Sequence, residues 1–311
     1  MINYVNKLTF LQKIKPQASK PLTRGLIWYK VWMAQTVHVD LGRERRMGVS
    51  IYEYRPMLFF FVAIAACFGA VMGSFLNCAA FRIVRGENFL KGHSRCPACG
   101  HELTARELVP VLSWVLQRGK CRACGAKVSV RYPLTELGFA LVTVLCLLRF
   151  DLTVLCLRNY VFLCCLFLLT LTDLEDMIIP DGCHIVSVLA WLAALPFLFT
   201  GWGDVLHSLL SAVIFGGGLL GISLIMDKVL GRDSLGGGDI KLFAVVGLYL
   251  GIIGTLFTLL EACVLGLLMN AIIKRRDEDR AFPFGPAIAA SAALMLLYGE
   301  PLIRWYQGLL Q

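Results

Sequence analysis

Residues 236–273 read GGGDIKLFAVVGLYLGIIGTLFTLLEACVLGLLMNAII. After Gly236-Gly237-Gly238-Asp239, the run 240–273 carries only two charged side chains, Lys241 and Glu261. A bilayer core takes about 20 apolar residues per helix, so this run is too long for one crossing and too apolar for water. Gly251 and Gly254 sit in its middle and predict two short helices joined by a tight turn.

Six further apolar runs lie near 57–80, 134–149, 153–172, 183–201, 207–226 and 283–299. With the divided run they predict an all-α polytopic membrane protein of about eight transmembrane helices. Composition agrees: 58% of the 311 residues are hydrophobic and 16% charged, against about 25% charged in a soluble domain.

The net charge of +9 raises the question of nucleic acid. The cations do not form a continuous basic stripe, so that partner is set aside. Ten Lys or Arg fall in 81–133, and 274–280 reads KRRDEDR. The positive-inside rule turns both segments to the cytoplasm. The loops 173–182 and 227–239 then face the same side, and both termini face away.

A first transmembrane helix, 57–80, leads into a cytoplasmic loop domain, 81–133. A membrane domain, 134–299, and a short tail, 300–311, complete the chain. Residues 1–56 hold ten Lys or Arg on the wrong side for this scheme and lack the compact core and cleavage site of a signal peptide. Two readings remain open. Translation starts at Met47, with Gly42-Arg-Glu-Arg-Arg46 being a purine-rich ribosome-binding site read as protein, or the segment is a basic amphipathic extension on the membrane surface.

Twelve cysteines divide into two groups. Eight lie in or beside apolar runs, where a free thiol behaves as a small hydrophobe. The others form Cys96-Pro-Ala-Cys99-Gly100 and Cys121-Arg-Ala-Cys124-Gly125, two C-x-x-C knuckles 21 residues apart. Four thiolates at this spacing suit tetrahedral zinc, and the glycines allow the positive φ of a knuckle turn. Lys120, Arg122 and Lys127 favour the thiolate form. A redox dithiol or two disulfides fit a reducing cytoplasmic loop less well. With four protein ligands the metal is structural, leaving no open position for a water. His93 and His101 flank the first knuckle as weaker ligand candidates.

Acids near hydrocarbon are costly and pose a functional question. In Leu171-Thr-Asp173-Leu-Glu175-Asp176-Met-Ile-Ile-Pro180-Asp181, Asp173 directly follows an apolar run and lies deepest. Asp176 shares its helix face and is the second candidate. Asp239 opens a crossing and could simply cap it, but capping does not explain the glycine triplet before it. The triplet lacks the G-x-x-x-x-G-K-[ST] pattern of a phosphate loop. Two carboxylates on one face of the membrane, sharing a proton, form a dyad able to activate water. Lys241 either orients substrate and biases the dyad's charge or snorkels to the interface. Glu136 is expected to pair with Arg131, and Glu261 to pack against Asn270 or another polar group.

Taken together, these pieces resemble the bacterial type IV prepilin peptidases (leader peptidase and N-methyltransferase), of the GxGD class of membrane aspartyl proteases. The resemblance runs from about Gly73 to Pro286. It rests on Gly73-Ser-Phe-Leu-Asn77, both knuckles, Pro110-Val-Leu-Ser-Trp114, Arg118-Gly-Lys-Cys121, Arg131-Tyr-Pro133 with Glu136, Asp173 to Asp181, Gly236 to Lys241, and Pro283-Phe-Gly-Pro286. It implies leader cleavage of prepilins or pseudopilins at the cytoplasmic face of the bacterial inner membrane, with Asp173 and Asp239 as the catalytic pair and Gly236, Gly238 and Lys241 supporting their loop. It further implies N-methylation of the new terminus from S-adenosylmethionine, associated in the family with the knuckle loop, here 81–133. Where the family often has Asp-Asn-Ile-Pro, this chain has Glu107-Leu-Val-Pro110. A peptidase without methylation, and a transporter or assembly scaffold with a zinc-stapled knob, are the alternatives. The scaffold reading predicts polar groups along a midplane cavity, whereas the acids here gather at one face.

Overall fold

The computed structural model describes residues 51, 58–89, 92–199, 201–231, 235–272 and 283–309. The chain divides into two units, Met1–Arg46 and Met47–Gln311, and every element below belongs to the second. The basic stretch 1–56, apart from Ile51, and the charged segment 274–280 lie outside the described residues.

Among the described residues the protein is helical: α1 (Leu58–Val84), α2 (Leu112–Leu116), α3 (Arg131–Phe150), α4 (Val154–Asp176), α5 (Asp181–Leu198), α6 (Trp202–Leu230), α7 (Gly237–Ile272), α8 (Gly285–Tyr298) and α9 (Glu300–Leu309). Six of them (α1 and α3–α7) are long and apolar enough to cross a membrane, and α8 is a shorter apolar helix. The protein is a multi-pass membrane protein.

The long run resolves at Gly251. Its backbone (φ 66°, ψ −175°) interrupts α7, so that two helical arms meet there. A single glycine, rather than a turn of several residues, makes the break. The φ value lies in the left-handed region open to glycine, and a Cβ there would stand 2.8 Å from the His207 ring. Counting both arms and α8, the described residues hold eight apolar helical segments.

Local sequence sets the other boundaries. Thr153 accepts a hydrogen bond from the Cys156 N–H (3.1 Å) and caps α4. Gly231, at φ 66°, ends α6 in the left-handed cap common after helices. Pro180 fixes the extended residue before α5.

Lipid tails give no hydrophobic drive for one helix to prefer another, so small residues that admit close packing decide the pairing. Gly69 and Gly73 of α1 lie against α3: an added Cβ would stand 2.5 Å from the Thr143 hydroxyl and 3.1 Å from Phe139 respectively. Gly216 of α6 faces Ala244 and Gly247 of α7 faces Ala212, so α6 and the first arm of α7 run antiparallel in contact. The innermost layer joins Phe162, Leu163 and Leu166 of α4 to Leu242, Phe243 and Val246 of α7 and Ile288 and Ala292 of α8. Phe162 stacks on Tyr249 with ring centroids 4.0 Å apart. The Tyr249 hydroxyl donates to the Ser187 carbonyl at 2.7 Å, bringing in α5.

Gly247 is the tightest test of this packing, because a Cβ there would lie 2.8 Å from the Ala212 backbone nitrogen. Gly247→Val is expected to push α6 from α7 at a cost of about 1–3 kcal/mol. Thermal unfolding of the detergent-solubilised protein would show a lowered midpoint, while Gly218→Val, in open space, leaves it near wild type.

Candidate active site

Asp173 and Asp239, 66 positions apart in the sequence, lie at one end of the bundle. Asp173 is near the C-terminus of α4, where its carbonyl accepts the Met177 N–H (3.0 Å) and Met177 turns left-handed (φ 55°). Asp239 is in the first turn of α7, and its N–H donates to the Gly236 carbonyl (3.0 Å). Both side chains are nearly sealed from the surface, at 5% and 9% exposure.

Close backbone approaches hold the pieces together. The Gly285 N–H, opening α8, donates to Asp173 Oδ2 at 3.0 Å. A Cβ on Gly285 would stand 2.7 Å from that oxygen, so a side chain would displace the carboxylate. A Cβ on Gly238 would stand 2.9 Å from Ile179 Cβ, and Ile179 Cδ1 also lies 3.3 Å from the Cβ position of Gly285. Ile179 is therefore wedged between the first turns of α7 and α8. Gly236 has its own constraint, since its Cβ would lie 3.1 Å from Asp239 Oδ2, whereas Gly237 faces nothing within 4 Å.

The two carboxylates are within electrostatic reach of each other. Asp239 Oδ1 is buried and has no hydrogen-bond partner among the described residues. An oxygen in that state is available to hold a proton or to accept one. Lys241 points elsewhere: its Nζ donates to Asp181 Oδ1 at 2.7 Å, tying the start of α7 to the start of α5. Arg131, opening α3, reaches Glu175 of α4 at 2.6 Å.

That last contact corrects an expectation. Glu136 does not pair with Arg131; its Oε2 accepts the backbone N–H of Val111 at 2.6 Å. Glu136 is buried one turn inside α3, where a backbone amide is the partner within reach, and Arg131 at the helix start turns to α4 instead. Glu261 Oε2 is buried without a partner among the described residues, so no bond from that oxygen to Asn270 exists there.

The four knuckle cysteines converge. The sulfurs of Cys96, Cys99, Cys121 and Cys124 all lie within 4.8 Å of one another, with no histidine in the group. Both knuckles use the same bonds: Cys96 N–H to the His101 carbonyl and Gly100 N–H to the Cys96 carbonyl, then Cys121 N–H to Ala126 and Gly125 N–H to Cys121, all at 2.8–2.9 Å. Gly100 and Gly125 share φ 72°. Backbone N–H groups of Cys99 and Ala98 lower the Cys96 thiol to about 7, while the neighbouring sulfurs and burial push Cys99 up to about 12, so Cys96 is the sulfur of this knuckle that favours the thiolate. Zinc–sulfur bonds of about 2.3 Å in a tetrahedron set the sulfurs about 3.8 Å apart, so the cluster fits zinc with a small contraction.

His101, a weaker ligand candidate in the sequence, turns away from the sulfurs to Glu107, Nε2 to Oε2 at 3.3 Å. The N–H and then the hydroxyl of Thr104 donate to the same oxygen at 2.9 and 2.8 Å and hold Glu107 below the usual carboxylate range. Glu107 thereby braces the first knuckle.

Family models match two segments of the chain. Residues 67–150 match the bacterial peptidase A24 N-terminal domain, and residues 160–271 match the type IV leader peptidase family. A prepilin leader peptidase/N-methyltransferase of Bacillus subtilis is 33% identical over 250 residues, covering 79% of this chain and 97% of its own. The chain belongs to the type IV leader peptidase family. Proteins of the same description are 31% identical in Pseudomonas putida, over 78% of this chain and 92% of theirs, and 31% identical in Dichelobacter nodosus, over 82% and 97%. No solved structure matches the chain.

Within this peptidase frame, sequence reasoning missed Ile179 and the role of Gly285. The available signal was a glycine placed between Phe284 and Pro286 at a helix start. Gly285→Ala and Gly238→Ala are expected to cut leader-peptidase turnover on the order of a hundredfold by displacing an aspartate or its loop. Gly237→Ala should stay near the wild-type rate, as measured on detergent-solubilised enzyme at matched expression.

Proposed function

We propose that the chain removes the leader from type IV prepilins or pseudopilins through an aspartate dyad, Asp173 and Asp239, at the cytoplasmic face of the bacterial inner membrane. The observation that carries this reading is the pair itself: two buried carboxylates in electrostatic reach at one end of the bundle, one with an oxygen lacking any partner among the described residues.

Two carboxylates brought together do not both ionise readily, so one keeps a proton. The ionised partner takes a proton from water as the water oxygen attacks the scissile carbonyl. The protonated partner donates to the developing oxyanion. Collapse breaks the C–N bond, and the leaving amine takes the proton held by the dyad. The two acids titrate as a unit, and neither is assigned a fixed role. Gly285 N–H holds Asp173 in orientation from the electropositive end of α8. Gly236 and Gly238 keep the α7 loop at its close approaches, and Lys241 supports it through Asp181.

Cys96, Cys99, Cys121 and Cys124 would hold one structural zinc ion, which orders the loop 81–133. That loop is the candidate region for N-methylation of the new terminus, for which S-adenosylmethionine supplies the methyl group when bound. The peptidase is assigned to 134–299, with 57–80 as the first transmembrane helix. Membrane lipid and the pilin substrate are its partners, and nucleic acid is not.

The test incubates purified protein with a prepilin and labelled S-adenosylmethionine, comparing wild type with Asp173→Ala, Asp239→Ala and Cys96→Ser. Cleavage should fall to background in both aspartate variants and persist with Cys96→Ser, which should lose bound zinc by elemental analysis. Cleavage retained in both aspartate variants overturns the dyad. Cleavage by wild type without label transfer selects a peptidase lacking methylation. Absence of both activities favours a membrane scaffold.

A further inference from the structure

The cysteine module does not simply stand above the membrane. Helix α1 has 27 residues, or about 40 Å, and is longer than the roughly 30 Å hydrocarbon core. Helix α3 has 20 residues, or about 30 Å, so its first turns lie close to the edge of the hydrocarbon core. Glu136 lies five residues inside α3, about 7.5 Å below its first residue. Its carboxylate holds the Val111 N–H at 2.6 Å. Because a helical side chain leans towards the helix N-terminus, the chain that leaves α1 and forms the first knuckle returns at Val111 to the level of the first turns of α3.

The segment around Val111 is apolar and uncovered. Leu112, Val115 and Leu116 of α2 are 55%, 56% and 73% exposed, and Leu108 and Val109 before them about two-fifths. On α3 at the same level, Leu134 and Leu137 are also exposed, as lipid-facing residues are. The backbone here is furnished for a dry setting. Ser113 N–H bonds to Val109, Val115 N–H to Val111 and Gln117 N–H to Ser113 at 2.9–3.1 Å, and the Trp114 indole N–H donates to Val128. Backbone groups left unpaired in lipid are costly, and these bonds pair several of them. Exposed Arg106, Arg118, Lys120 and Arg122 flank the segment in sequence, as cations do beside anionic headgroups.

We propose that residues 108–116 dip into the bilayer beside α3, with Leu112, Val115 and Leu116 against acyl chains, so that the cysteine module is moored to the membrane surface by this re-entrant segment. The depth set by Glu136 favours lipid over the other candidate occupant, an apolar stretch of the prepilin. The mooring requires only that α3 crosses the membrane and is independent of the dyad.

The full chain, carrying a photo-activatable benzophenone amino acid at one position, is reconstituted into vesicles of phosphatidylethanolamine and phosphatidylglycerol. Each variant is first checked for prepilin cleavage. After irradiation, mass spectrometry counts lipid adducts at position 116, at position 134 as the lipid-facing standard and at position 122 as the aqueous one. The expected result is that position 116 labels lipid as position 134 does, with prepilin present or absent. Lipid labelling at 116 no higher than at 122 overturns the proposal. So does labelling of prepilin, or of another part of the chain, in place of lipid.

Discussion

The arrangement hangs on the hydrogen bond from the Gly285 N–H to Asp173 Oδ2. It joins the end of α4 to the beginning of α8 across 112 residues, and no side chain fits where it is made. Removing a carboxylate from water is expensive, and a buried aspartate at a helix C-terminus also faces the negative end of that helix's own dipole. The amide at the start of α8 answers both costs for Asp173. Asp239 sits at the favourable end of its helix, in the first turn of α7. Each acid therefore meets the positive end of a helix: one its own, the other borrowed.

The aspartates were legible in sequence because depth and glycine context are local properties. Asp173 follows an apolar run, and Asp239 follows three glycines. The glycine triplet could not be read residue by residue, however. Gly236 makes room for Asp239 itself, Gly238 makes room for Ile179 and Gly237 makes room for nothing within 4 Å. Only the first constraint is local. Ile179 and Gly285 belong to other segments, and no periodicity connects them. The cysteine cluster was readable for the opposite reason, since a metal site with short spacings carries most of its geometry in the spacing.

Glu136 shows where local reasoning misled. Arg131 and Glu136 are near in sequence, which suggested an ion pair, but five positions on a helix point in different directions. The buried acid instead satisfies a backbone amide brought by a loop, and the arginine turns to the neighbouring helix. Glu107, directly before the Leu108-Val109-Pro110 stretch that leads into α2, similarly spends its charge on Thr104 and His101. Glu136 is thus accounted for, whereas Glu107 keeps one buried oxygen without a partner among the described residues, as Glu261 and Asp239 do; what distinguishes Asp173 and Asp239 is that the two carboxylates approach each other.

The break at Gly251 shortens the helix that carries Asp239. The first arm of α7, residues 237–250, is about 21 Å long, and α8, with 14 residues, is about the same. Neither reaches across a hydrocarbon core of about 30 Å. The contacts of Gly216 with Ala244 and of Gly247 with Ala212 fix the level of α7 against α6. They set Asp239 near the level of Gly221, and α6 continues to Leu230, about 13 Å further. Asp239 therefore lies well short of the end of α6, whereas α4 ends at Asp176, close to Asp173.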